Sequence, residues 1–198
     1  MARMIVPRFK QSRRLGLNVC GHPKAMRRAK KGTARSDKKL TEYGKQLLEK
    51  QRLRAYYGVL ERQFVNLFKE AKKSKEQTGP ALVQFLERRL DNLVYRMGFA
   101  SSIRQARQMV NHGHVTVNGK KVNIPSYRCG EGDVIALSAR GRKVDLFKTN
   151  YETQFVTSYP YISKDEDLKA TLVSLPQRED VPIEIEDQLI VEFYSKNM

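Results

Sequence analysis

Residues 86–137 read LERRLDNLVYRMGFASSIRQARQMVNHGHVTVNGKKVNIPSYRCGEGDVIAL. Leu86, Leu90, Leu93, Val94 and Met97 recur at the spacing of one apolar helix face, and Gly98 follows as a stop. Ser101 and Ser102 offer an N-cap for a second helix, lined on one side by Ile103, Ala106 and Val110. Arg104, Gln105, Arg107 and Gln108 fall on its remaining surface, and Gly113 ends it. Val115-Thr-Val117, Asn118-Gly119 and Lys120-Lys121-Val122 then predict a hairpin, because both central residues of a type I′ turn need φ > 0. Gly130-Glu-Gly132-Asp133 reads as a turn and Val134–Leu137 as a further strand. The order is helix, turn, basic helix, basic hairpin. It sets cations and side-chain amides on two adjoining elements that face one groove of a folded nucleic acid.

On the N-terminal side, residues 1–36 read as an extended segment that orders on RNA, with Gly16, Gly21, Pro23 and Gly32 interrupting any long helix. Thr41 can cap a helix running to about Tyr57, where Gly58 breaks the pattern. Leu60, Phe64, Leu67, Phe68 and Ala71 form the next amphipathic stripe, and Lys72 to Gly79 reads as a polar loop. Pro80 suits the first turn of a third helix that continues into the segment quoted above. Beyond Ala139 the patterns weaken, and Tyr151, Phe155, Tyr159 and Tyr161 suggest an irregular or short-stranded stretch. The segment from Val181 to Tyr194 is acidic, yet Ile183, Ile185, Leu189, Ile190, Val191 and Phe193 require burial. It is expected to return to the N-terminal helices, its carboxylates meeting their cations. The domain boundaries that follow are a basic extended arm at 1–39, a helical domain at 40–86 completed by a returning tail at 170–198, and an RNA-binding module with appended strands at 87–169.

The chain carries 38 Lys and Arg against 21 Asp and Glu, a formal charge of +17. Residues 1–75 hold 22 basic and 5 acidic groups, whereas residues 151–198 hold 4 and 10. From Met1 to Ser36 there are 11 basic residues and no acidic one. A one-signed arm of this density repels itself and calls for a polyanion. RNA, DNA and an anionic membrane each satisfy that on charge alone. No run of residues approaches the roughly 20 apolar positions of a membrane span. Residues 1–20 lack the apolar centre of a secretory signal, since Arg3, Arg8, Lys10, Arg13 and Arg14 interrupt it. An organellar transit peptide shares the basic, acid-poor composition. Two cysteines, Cys20 and Cys129, fit a reducing compartment.

The sharpest RNA-contact candidates are Arg104, Gln105, Arg107, Gln108, Lys120 and Lys121, since cations neutralise phosphates and amides reach sugar hydroxyls or base edges. A charged, solvated helix face is the plainer alternative, and the neighbouring hairpin and basic arm weigh against it. His112 and His114 flank Gly113 and suit either a phosphate contact or a local helix-terminus role. Cys20 and His22 supply two potential metal ligands without the paired sets of a structural zinc site, so no metal is expected. Tyr56 and Tyr57 beside the helix break read as core more than as base-stacking platforms. Gly130-x-Gly132 lacks the Lys-Ser/Thr of a phosphate loop, and Asp165, Glu166 and Asp167 have no partner histidine nearby. No nucleophile–base pairing is present, so neither catalytic residues nor a cofactor are expected.

A family resemblance enters with specific blocks. Leu-Thr-Glu-Tyr-Gly (40–44), Glu-Lys-Gln-Arg-Leu-Arg (49–54), Tyr-Gly-Val-Leu-Glu-Arg-Gln-Phe (57–64), Arg-Leu-Asp-Asn-Leu-Val-Tyr-Arg-Met-Gly (89–98), Arg-Gln-Ala-Arg-Gln (104–108), Asn-His-Gly-His-Val (111–115), Val-Asn-Ile-Pro-Ser-Tyr (122–127) and Leu-Ile-Val-Glu-Phe-Tyr-Ser (189–195) resemble the bacterial-type S-four family of small-subunit ribosomal proteins. The likeness covers nearly the whole chain and disfavours the transit-peptide reading. It implies an α+β fold: a helical N-terminal domain with an inserted second domain holding a two-helix plus β-hairpin RNA-binding module. It implies a non-enzymatic, cytoplasmic ribosomal component that binds small-subunit ribosomal RNA (rRNA) and nucleates assembly of the 5′ domain. Its expected neighbours are the third and fifth small-subunit proteins and messenger RNA (mRNA) where it enters the subunit, with an influence on translational accuracy, no membrane, and a monomer within the ribosome. Some members repress their own operon.

Under that resemblance Arg3, Arg13, Arg14, Lys45, Lys50, Arg52, Arg54 and Arg62 would clamp phosphates from the first domain. Arg104, Gln105, Arg107, Gln108, His112, His114, Lys120 and Lys121 would do so from the second. There are departures. Where many members carry Pro-Gly-Gln-His-Gly before residue 40, this chain has Gly32-Thr-Ala-Arg-Ser-Asp37, so Arg35, Lys38 and Lys39 are only stand-ins for the family's mRNA-facing cations. Members with a zinc-binding arm use four cysteines, and only Cys20 lies here, so zinc is not carried over. Two rivals remain: an RNA-modifying enzyme steered by the same small module, and an RNA-binding regulator independent of the ribosome. Neither explains the matching blocks outside residues 86–137.

Overall fold

The computed structural model describes residues 6–32, 34–37, 39–153 and 159–197. They form eight helices and one five-stranded sheet: α1 (Arg8–Leu15), α2 (Glu42–Tyr56), α3 (Glu61–Lys73), α4 (Thr78–Glu87), α5 (Leu90–Arg96), α6 (Ile103–Asn111), β1 (Val115–Val117), β2 (Lys120–Lys121), β3 (Val134–Leu137), α7 (Asp145–Thr153), β4 (Ile162–Asp165), β5 (Lys169–Leu172) and α8 (Asp187–Asn197). Short 3-10 turns occupy Arg35–Asp37, Gly141–Lys143 and Arg178–Asp180. Fold class is α+β. The chain divides into two compact units, residues 1–82 with 183–198, and residues 83–182.

In the first unit, Thr41 caps α2 by accepting the Gly44 N–H at 3.2 Å. Gly58, at φ +61°, turns the chain from α2 toward α3. Phe64, Phe68 and Ala71 of the predicted stripe are buried. α8 lies against α2 and buries Ile190, Phe193 and Tyr194, so the acidic tail does return to the N-terminal helices. Its Glu192 accepts the Gln46 amide at 2.9 Å rather than meeting a cation.

Three expectations are corrected here. Residues 8–15 are helical, not extended, and Leu15 and Val19 bury against Leu48 of α2. Cations do not prevent this, because α1 points Ser12 and Leu15 inward and Gly16, at φ +67°, closes it. The helix expected to run unbroken through Leu86–Met97 is two helices. Arg89 is extended, Leu90 N–H donates to the Tyr127 carbonyl at 2.8 Å, and Cys129 N–H donates to the Arg88 carbonyl at 2.9 Å. A strand-like exchange with residues 125–129 therefore interrupts the helix at Arg88 and Arg89. Finally, Tyr151 sits on a helix, α7, whose Phe147 and Tyr151 are buried one turn apart. Phe155 lies outside the described residues.

The second unit is built around the sheet, ordered β2-β1-β3-β5-β4 and antiparallel throughout. Asn118 (φ 50°) and Gly119 (φ 76°) make the hairpin turn that pairs Val117 with Lys120. Alternate residues Val115, Val117, Ile135, Leu137, Ala170 and Leu172 point into a core shared with Leu93, Val94, Met97, Ala106, Met109 and Val110 of α5 and α6. Because β5 bonds to β3 and β4 here, residues 170–182 belong to this unit, and the tail proper begins at Ile183 instead of residue 170. The forward boundary falls inside α4, between Leu82 and Val83.

Candidate nucleic-acid interface

α6 starts on Ser102, whose hydroxyl accepts the Gln105 N–H at 3.3 Å. Gln105 reaches back, its Oε1 accepting from Ser101 N–H at 2.8 Å and Ser101 Oγ at 2.7 Å. This reciprocal cap fixes the helix start and occupies one of the expected RNA-contact amides. Arg104 and Gln108 are exposed, whereas Arg107 turns inward, its Nε and NH2 donating to Asp91 Oδ2 at 2.8 and 2.7 Å. Arg89 holds the same carboxylate from the other side, at 3.1 and 2.9 Å. At the α4–α5 break the buried Glu87 takes Arg96 NH2 at 2.7 Å, Arg96 Nε at 3.1 Å and Asn92 Nδ2 at 2.6 Å. These two buried carboxylates, each satisfied by guanidinium donors, lock α4, α5 and α6 together.

Past α6, exposed His112 and half-buried His114 flank Gly113, and exposed Lys120 and Lys121 follow on β2. The module thus offers Arg104, Gln108, His112, Lys120 and Lys121 on its surface. Burial, followed by the charges of Arg140, His112 and Lys121, lowers the proton affinity of His114. Arg140 is an exposed cation that the sequence reading did not select. Its proximity follows from a backbone bond, Ser138 N–H to the His114 carbonyl at 2.9 Å, that joins positions far apart in the chain.

The first unit distributes its cations differently. Arg14 and Arg62 are exposed, and Lys45 is exposed and paired with Glu42 at 2.8 Å. Arg13 Nε donates to the Phe9 carbonyl at 3.2 Å. Lys50 is only 7% exposed, 2.8 Å from Glu61 and 4.6 Å above the Phe193 ring. Arg54 pairs with the same Glu61, and Arg52 bonds Glu49 at 2.6 Å and the Leu15 carbonyl at 2.9 Å. Lys50, Arg52 and Arg54 thus join α2 to α1, α3 and α8. Arg35 is half-buried and Lys39 exposed, while Arg3 and Lys38 lie outside the described residues.

Nothing in the described residues assembles a reactive centre. Among the described residues, no group of three or more His, Cys, Asp and Glu is placed to hold a metal ion. Cys20 hydrogen-bonds Ser12 and Asn18, and the His22 ring packs 4.9 Å from Phe9 while its Nδ1 accepts the Lys24 N–H. Burial pushes the Cys129 thiol up to about 12, leaving it neutral and unreactive. No helix among the described residues is long and apolar enough to cross a membrane.

A helix pair followed by a hairpin, with cations on the second helix and the hairpin, has the form of an RNA-binding module, in a chain whose other unit is helical. Comparison with known families agrees: the S4 domain model matches residues 88–135, and that of the ribosomal protein S4/S9 N-terminal domain matches residues 3–87. Small ribosomal subunit protein uS4 of Finegoldia magna is 64% identical over 99% of this chain and 100% of its own length. Protein uS4B of Clostridium acetobutylicum is 52% identical over the full length of both, and uS4 of a Thermoanaerobacter species is 53% identical over 80% of this chain and 77% of its own. The chain belongs to the small ribosomal subunit protein uS4 family. Members of that family are structural, and the chain is not an enzyme.

Proposed function

We propose that the protein is a structural constituent of the small ribosomal subunit in the cytoplasm and a primary binder of its rRNA, nucleating assembly of the 5′ domain. The observation that carries this reading is the exposed set Arg104, Gln108, His112, Lys120 and Lys121 on one module, in a chain similar to uS4 proteins over its whole length. Cations supply affinity through phosphate neutralisation, and the Gln108 amide can read a sugar or base edge. Arg14 and Arg62 add phosphate contacts from the first unit. Arg3, Arg13, Lys45, Gln105, Arg107 and His114 remain candidates, whereas the internal pairing of Lys50, Arg52 and Arg54 favours an indirect role for those three. Membership of the family further supports a position beside the third and fifth small-subunit proteins, near where mRNA enters, with an influence on accuracy.

The test is binding of the purified protein to the isolated 5′ domain of small-subunit rRNA, titrated with salt against a non-cognate structured RNA. Log affinity is expected to fall with log salt by about 0.7–0.9 per neutralised phosphate, with cognate preference surviving competition. Equal binding to both RNAs that collapses with salt would leave a non-specific polycation.

A further inference from the structure

The turn between α6 and β1 collects four nitrogen-bearing side chains that the fold fixes from several directions. His112 and His114 stand with ring centroids 6.2 Å apart. Between them Gly113 has φ +70°, and the Lys121 stem lies across it so closely that a Cβ there would fall 2.1 Å from Lys121 Cε and 2.8 Å from its Nζ. Residues 138–141 dock on the same turn. Ser138 N–H donates to the His114 carbonyl at 2.9 Å, Ser138 Oγ donates to the Gly113 carbonyl at 3.1 Å, and Gly141 N–H donates to Ser138 Oγ at 3.1 Å. A Cβ on Gly141 would lie 2.4 Å from the His114 carbonyl oxygen, so the approach is open to glycine alone. Docking in this way brings in Arg140, whose charge acts on His114.

No carboxylate balances these groups. None of the four side chains is in an ion pair among the described residues, and the charges acting on His114 are Arg140, His112 and Lys121. α7 meets the His114 ring through Phe147, at 5.3 Å edge to face, while its Asp145 and Lys148 pair with each other at 3.7 Å. Arg142, just past the docked segment, donates to the Leu137 and Asp167 carbonyls at 3.4 and 2.8 Å. His114 Nδ1 is buried without a hydrogen-bond partner, which leaves Nε2 as the ring nitrogen able to meet a ligand. A cluster of this sign with no internal counter-ion raises its own energy until an anion enters.

We propose that His112, His114, Lys121 and Arg140 form one subsite for a single phosphate of bound RNA, and that the subsite takes up a proton as the phosphate seats. This rests on the RNA-binding reading above. Burial first, and then the charges of Arg140, His112 and Lys121, disfavour the His114 imidazolium. A phosphodiester held between Lys121 and Arg140 offsets those charges, so the proton is retained at a higher pH than in the free protein. Binding therefore strengthens as pH falls, by at most about tenfold per pH unit for one proton.

The decisive experiment is calorimetric titration of the 5′-domain rRNA into the protein at constant ionic strength, between about pH 7.5 and 6 where histidine titrates, in two buffers of different ionisation enthalpy. The wild type is expected to take up protons and to gain about threefold to tenfold in affinity as pH falls across this range. The doubly substituted His112→Gln, His114→Gln protein should lose both effects, its remaining affinity and its proton count no longer changing with pH. Arg140→Gln, a change at an exposed position, should weaken binding at every pH while leaving the thermal midpoint unchanged. The proposal is overturned if wild type and the histidine variant share one pH profile and one proton count, or if Arg140→Gln binds as wild type does. Either result leaves RNA binding itself standing. Absence of cognate binding by the wild type would instead remove the RNA reading along with the subsite.

Discussion

Arg104 and Arg107 sit one turn apart on α6 and look alike in the sequence, yet the fold gives them different work. Arg107 is bound through two nitrogens to Asp91, whose side chain is 1% exposed. Arg104 stays on the surface. Arg107→Ala is therefore expected to lower the stability of the second unit by about 1–3 kcal/mol, the worth of a charge-assisted bond, since Arg89 still satisfies Asp91. Asp91→Ala is worse, because two guanidinium groups then face each other without a counter-charge. About 3–5 kcal/mol is expected. Arg104→Ala, at an exposed position, should cost less stability than either of these and weaken RNA affinity. Urea unfolding and RNA titration of the three variants separate these outcomes. An Arg107→Ala protein as stable as wild type would return that residue to the open surface.

At the scale of elements, what could be read from the sequence was what neighbouring residues decide among themselves. Thr41 and Ser102 cap α2 and α6 through bonds reaching three positions, and Asn118-Gly119 sets the hairpin turn with its own backbone angles. The α4–α5 break escaped because Leu86, Leu90 and Leu93 keep helical spacing across it, while the bonds that open the helix come from Tyr127 and Cys129. Likewise Lys50 looked like a surface cation because its partners, Glu61 and the Phe193 ring, are 11 and 143 positions away. The joint between α2, α3 and α8 makes a pH prediction. Burial alone would raise the Glu61 carboxyl, but hydrogen bonds from Lys50 and Tyr194 and the charges of Lys50 and Arg54 outweigh it and hold it below its ordinary value. A depressed carboxylate contributes stability above its unfolded value of about 4.3 and loses it as pH falls through the folded value. The stability advantage of wild type over Glu61→Gln should thus be full at neutral pH and vanish as acid is added below about pH 4. Urea midpoints of both proteins along a pH series measure it, and a constant gap down to about pH 3 would show that the Glu61 charge contributes nothing to this joint.

Across the whole chain, a formal charge of +17 overstates what is available to a nucleic acid, because the fold spends part of it internally. Lys50, Arg52, Arg54, Arg89, Arg96 and Arg107 are each bonded to a carboxylate within their own unit. Arg14, Arg62, Lys120, Lys121 and Arg140 are exposed, and none of them is in an ion pair among the described residues. These two populations predict different salt behaviour. Each phosphate contact releases condensed counter-ions, so losing one should flatten the plot of log affinity against log salt by about 0.7–0.9. Lys120→Gln removes a surface cation from the hairpin and should flatten the slope by that amount while leaving unfolding unchanged. Lys50→Met keeps an apolar stem beside Phe193 and removes a charge that already faces Glu61. It should alter stability and leave the salt slope where it was. If instead Lys50→Met flattens the slope as Lys120→Gln does, the internal pairs open on binding, and the division between structural and RNA-facing cations is wrong.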